Sequence, residues 1–156
     1  MIDYILALII SFAGVISGCI LALIAPEELR AGEKWWRILE WAVLIMMIAL
    51  VVYFSASRLV WAIALSAVLA ALKIFKQEYP AFAFVLVLSY FEGFLFLAAS
   101  LIFIYGLTKG TLDAKQIVNM KNAKRQISKA IIHILRKNIL YPIFGLVLLP
   151  LLLAYA

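Results

Sequence analysis

Residues 81–107 read AFAFVLVLSYFEGFLFLAASLIFIYGL. The run is apolar enough and long enough to cross a bilayer with some tilt, and it reads as one transmembrane helix. One ionisable residue, Glu92, stands almost at its centre. A carboxylate at that depth costs roughly 2.5–3.5 kcal/mol on insertion scales unless it is protonated or paired. On a continuous helix Val85, Ser89, Glu92, Phe96 and Ser100 share one face, with Gly93 beside them. Two hydroxyls in register with the acid predict a face turned into a bundle rather than toward lipid. Two roles fit that placement. Glu92 is either a hydrogen-bonded pin that fixes helix register, or, with Ser89 and Ser100, a proton- or cation-binding site that switches charge during transport.

The rest of the chain agrees with a lipid solvent. Of 156 residues, 68% are hydrophobic and 14% charged, and the mean hydropathy is +1.14. A soluble domain is about 45–50% apolar and about 25% charged. The fold class that follows is all-α: a polytopic helical membrane protein, folded as a single bundle over residues 1–156. Spans are predicted over about 2–24, 38–56, 59–75, 81–107 and 139–156, which makes five transmembrane helices. The single cysteine, Cys19, excludes an internal disulfide and a thiolate metal cage, and it reads as a packing residue.

Along the first span Ala7, Ser11, Gly14, Gly18, Ala22 and Ala25 recur at steps of three and four. That spacing gathers them on one face, where Ser11, Gly14, Gly18 and Ala22 form a helix-packing seam of the GxxxG kind. The seam is expected either to pack inside the bundle or to join two copies. Asp3, with no Lys or Arg near it, argues against a signal peptide. Pro26, Glu27 and Glu28 suit a helix start and Gly32 its end, predicting a one- to two-turn surface helix. Trp35, Trp36 and Trp41, interleaved with Arg37 and Glu40, mark an aromatic belt where the second span enters the bilayer.

Residues 108–138 differ in kind. They hold eight of the fourteen Lys and Arg residues. Asp113 with Gln116 offers a capping-box-like start, and Ile117, Met120, Ala123, Ile127, Ile131 and Ile134 follow helical spacing. A basic amphipathic helix over about 113–137 is predicted. Lys121, Lys124, Arg125 and Lys129 would bind anionic headgroups at the leaflet, at about 1 kcal/mol per charge. No aromatic side chains interleave with these charges, which argues against nucleic acid as a partner.

The basic segment belongs in the cytoplasm. With five spans the N-terminus is then inside and the C-terminus outside the cell membrane. If residues 59–75 dip in without crossing, the alternative is four spans plus a re-entrant segment, with the N-terminus outside. Trp61 at one end of that run, and Phe75 and Tyr79 at the other, resemble interface anchors and favour five.

Familiar catalysis is poorly provided for. The only histidine, His133, lies on the amphipathic segment. There is no zinc-binding His pair, no metal-ligand cluster and no nucleophile elbow, and no cofactor is implied. The leading function is a non-enzymatic integral membrane protein, a subunit of a larger membrane assembly or a homo-oligomer, with lipid and other membrane subunits as partners. The alternatives are a small proton- or cation-linked transporter or channel using Glu92, and a lipid-modifying membrane enzyme, which would need a second acid or a metal beside Glu92.

Overall fold

The computed structural model describes residues 2–54, 79–118, 132, 135, 136, 138–148 and 150. Among these the chain is all helical: α1 (Ile2–Ile24), α2 (Pro26–Phe54), α3 (Tyr79–Phe91), α4 (Leu95–Val118) and α5 (Leu140–Val147). Three helical stretches are long and apolar enough to cross a membrane: Ile2–Ile24, Gly32–Phe54 and Leu95–Ala114. The expected third span, 59–75, and the basic residues Lys121, Lys124, Arg125, Lys129 and His133 lie outside the described residues.

The centre of the bundle is the contact between α1 and α4. A Cβ on Gly14 would run into the backbone of Phe103, and one on Gly18 into the backbone of Leu107. The relation is reciprocal. A Cβ on Gly106 would come within 2.9 Å of the Val15 backbone nitrogen, and one on Gly110 would meet the Val15 carbonyl. Backbone lies against backbone, which only residues without a side chain permit. Ser11 and Ala22 are buried on the same face of α1. Thr111 clasps the seam: its hydroxyl reaches the Gly18 carbonyl across the interface at 3.0 Å and its own helix's Leu107 carbonyl at 2.7 Å. The partner numbers rise together, 14 with 103 and 18 with 107, so α1 and α4 run parallel.

The other helices lean on this pair. α2 runs antiparallel to α4, with Phe54 beside Phe94 (ring centroids 4.7 Å apart) and Glu40 beside Tyr105. α3 folds back along α4 and sets Phe82 edge-on to Tyr105 at 4.8 Å. α5 runs antiparallel to α1. Its Tyr141 hydroxyl meets Ser11 Oγ at 2.5 Å, and Tyr4 donates to the Gly145 carbonyl at 3.1 Å. Ser11 gives its own proton to the Leu8 carbonyl at 2.9 Å, so Tyr141 is the donor to Ser11. Both tyrosines are fully buried, and their hydroxyls are satisfied across the helix interface.

Four sequence expectations change. Residues 81–107 are not one helix: α3 ends at Phe91 and α4 begins at Leu95. Gly93 adopts φ 79°, the left-handed conformation that stops a helix, and Phe94 N–H returns to the Ser89 carbonyl at 3.0 Å. That is the six-to-one bond of a glycine C-cap. The short surface helix ending at Gly32 does not form, because α2 runs through Gly32 from Pro26. Among the described glycines only Gly93 has positive φ, and without that turn a glycine is tolerated inside a helix. The helix start at Asp113 is likewise absent, since α4 continues to Val118. Finally, splitting the fourth span makes α4 parallel to α1, whereas five spans required the first and fourth to be antiparallel.

Candidate functional site

A buried charge pair joins α2 to α4. Glu40 is 6% exposed and Lys109 9%. Lys109 Nζ lies 3.6 Å from Glu40 Oε1, and the same oxygen accepts the Tyr105 hydroxyl at 3.2 Å. Tyr105 and Lys109 are four residues apart on α4, so they project from one face. Helix α2 brings Glu40 against that face. Phe82 of α3 closes the side of the Tyr105 ring. In such a weakly polar setting an unpaired ammonium or carboxylate would be strongly disfavoured, and each charge stabilises the other. Chemically, the arrangement can hold a charge pair or pass a proton between carboxylate, phenol and amine. It offers one acid, not the pair that general acid–base hydrolysis uses.

Read in sequence, Glu40 sits in the tryptophan belt and Lys109 opens the basic segment, so neither points to the other. The legible signal is G106-L-T-K-G110, a second GxxxG matching G14-V-I-S-G18, which bears on Lys109 but leaves Glu40 of α2 unassigned. Two matched motifs pair α1 with α4 and draw Lys109 into the bundle.

The residues expected to bind a proton or cation do not share a face. Ser89 is fully buried and donates to the Leu86 carbonyl at 2.7 Å. Ser100 is exposed and donates to the Phe96 carbonyl at 2.8 Å. Glu92 is half-buried in the turn between α3 and α4. Its depth follows from the seam. Partner positions on α1 and α4 differ by 89 in both glycine pairs, so residue 92 is level with about Asp3, at the end of α1. Glu92 therefore stands at one end of the bundle rather than at its middle.

Asp3 and Glu92 stand at one end of the bundle, while the other, where α1 finishes and α2 begins, carries both signs: Glu33, Glu40 and Asp113 as well as Lys34, Arg37 and Lys109. Among the described residues no group of three His, Cys, Asp or Glu side chains is gathered to hold a metal ion. Comparison with protein-family models, with curated proteins and with solved structures returned no match.

Proposed function

We propose that this chain is a non-enzymatic integral membrane protein acting as a subunit of a larger membrane assembly, with its basic segment after α4 in the cytoplasm. The observation that carries the reading is the bare side of α2. Only 28% of its span is buried, against 44% for α1 and 56% for α4, and Ile38, Trp41, Ile45, Met46 and Tyr53 stand exposed along it. A continuous apolar face of that length is costly in water and suits lipid or a neighbouring membrane helix. The glycine seam offers a homo-oligomer less than the sequence promised, because α4 of the same chain covers Gly14 and Gly18. Of the basic segment 108–137, the part beyond the spanning stretch of α4, which ends at Ala114, is assigned to the cytoplasm by its basic charge. Since α1 runs parallel to α4 and antiparallel to α5, both the N-terminus and the far end of α5 face outside.

The test is the mass of the particle in mild detergent together with the side on which residue 3 lies. The expected results are a particle heavier than the 17.5 kDa chain plus its micelle, and labelling of D3C (on a Cys19→Ala background) from outside intact cells. A bare monomer without any co-purified chain overturns the subunit reading. Labelling of D3C only after lysis overturns the orientation.

A second reading, a small proton- or cation-linked transporter, draws support from the Glu40–Lys109 pair, since ionisable groups within spanning helices often mark ion pathways. It moves the working acid from Glu92 to Glu40. Reconstituted protein that carries protons, and loses flux in Glu40→Gln with its helices intact, would establish it. Absence of flux in the unaltered protein removes it.

A further inference from the structure

The outer face of α2 changes character along its length. Lys34, Arg37, Ile38, Trp41, Ala42 and Ile45 line a shallow groove, and their spacing of three and one places them on a single stripe. The cations occupy one end of the stripe and apolar side chains the remainder. Both cations are exposed. Arg37 shares one guanidinium nitrogen with Glu33 at 2.7 Å and keeps further N–H donors. Among the described residues Lys34 has no ion-pair partner.

The depth of the groove is fixed by the same helix pairings. Glu40 is level with Tyr105 and Lys109. Arg37 and Lys34 lie three and six residues further toward the end, about 4.5 and 9 Å at 1.5 Å per residue. The end of α1 is close to the same level: Leu107 faces Gly18, and Ile24 lies six residues beyond Gly18. The two cations therefore stand at the height where the spanning helices finish. Trp41 sits just inside them, and Ile38, Ala42 and Ile45 run inward.

We infer that this stripe is a seat for one anionic phospholipid. Its phosphate lies between Lys34 and Arg37, and an acyl chain runs over Ile38, Ala42 and Ile45 beside Trp41. The order of cations, indole and apolar strip matches the order of phosphate, glycerol and acyl chain in a leaflet. A second copy of the chain is a poorer occupant. A two-fold axis along the membrane normal through this face would set Lys34 and Arg37 against their own counterparts at one depth, a like-charge juxtaposition. The inference rests on the membrane-embedded reading and gives it a specific ligand class.

The experiment uses Trp41 as the only fluorophore, with Trp35, Trp36 and Trp61 changed to Phe. The protein is reconstituted in phosphatidylcholine vesicles containing equal small fractions of either dibrominated phosphatidylglycerol or dibrominated phosphatidylcholine. Brominated phosphatidylglycerol is expected to quench Trp41 more strongly. Each of Lys34→Gln and Arg37→Gln should lower its relative affinity about fivefold, the worth of one surface charge. The double change should erase the preference, and the charge-keeping pair Lys34→Arg and Arg37→Lys should retain it. Raising salt should weaken the preference. Equal quenching by the two lipids overturns the seat, as does a preference that survives the double Gln change. Absence of quenching by either lipid, with disulfide cross-links between copies carrying A42C, overturns it in favour of a second chain. Protein that fails to float with the vesicles refutes the membrane reading itself, and so the two failures are distinct.

Discussion

Removing Lys109 should unfasten α2 from the α1–α4 core. In Lys109→Met the side chain keeps most of its length and loses its charge, leaving the Glu40 carboxylate in a site only 6% exposed. At 3.6 Å and an effective dielectric of about 20, two unit charges attract by about 4.6 kcal/mol. Breaking a buried pair on one side typically costs about 3–5 kcal/mol, because the remaining charge stays desolvated. Glu40→Gln should cost a comparable amount, since its amide oxygen can still accept from Tyr105 but no longer balances Lys109. The double variant should cost clearly less than the two single costs added together, by about 2–4 kcal/mol, because it leaves neither charge stranded. The assay is reversible unfolding in mixed detergent micelles, followed by tryptophan fluorescence and circular dichroism, for the four members of the cycle. Costs that add within about 0.5 kcal/mol would mean that the two charges do not interact. Equal salt sensitivity of the Glu40–Lys109 pair and the exposed Glu33–Arg37 pair would show that the first is not buried, since screening acts on exposed charges.

Three further outcomes are expected from the same unfolding measurements. Gly14→Ala and Gly110→Ala should each destabilise by about 1–3 kcal/mol, because the new Cβ meets the backbone of the opposite helix. Gly145→Ala should cost less, because it meets the mobile end of the Leu8 side chain; the reverse ranking would count against the seam. Gly93→Val should destabilise by about 1–2 kcal/mol through its φ of 79° alone, since nothing lies within 4 Å of an added Cβ. Gly93→Asn should be milder, and equal losses would argue against the left-handed cap. Tyr141→Phe and Tyr4→Phe should each cost about 1 kcal/mol, the usual net worth of one buried hydrogen bond, for the loss of the contacts to Ser11 and to the Gly145 carbonyl. No loss in either variant would mean that α5 is not held on α1 by these hydroxyls.

Reading α1 from sequence works because its information is local. Twenty-three residues without a strong breaker make the helix, and the three-and-four spacing of Ser11, Gly14, Gly18 and Ala22 marks a face that needs no partner to be recognised. The fourth span fails for an equally local reason. Hydropathy counts how apolar Glu92 and its neighbours are on average and carries no information about the φ of Gly93. A glycine can continue a helix, as at Gly32, Gly106 and Gly110, or end it, as at Gly93. Gly106 and Gly110 are pressed against α1, Gly32 lies against only the Trp36 side chain of its own helix, and Gly93 has open space and takes φ 79°.

The sequence by itself determined the helical class, the presence of helices long and apolar enough to cross a membrane, and the small-residue face of α1, because each follows from composition or from spacing within one segment. The tertiary structure alone decided which helix covers that face, that the 81–107 run turns back at Glu92, and that the deep acid is Glu40 rather than Glu92. Those are statements about pairs of segments. The Glu40 carboxylate and the Lys109 amine are 69 positions apart in the chain and meet because α2 packs antiparallel against α4. Spacing within a segment sets which residues share a face, and packing between segments sets which of those faces meet.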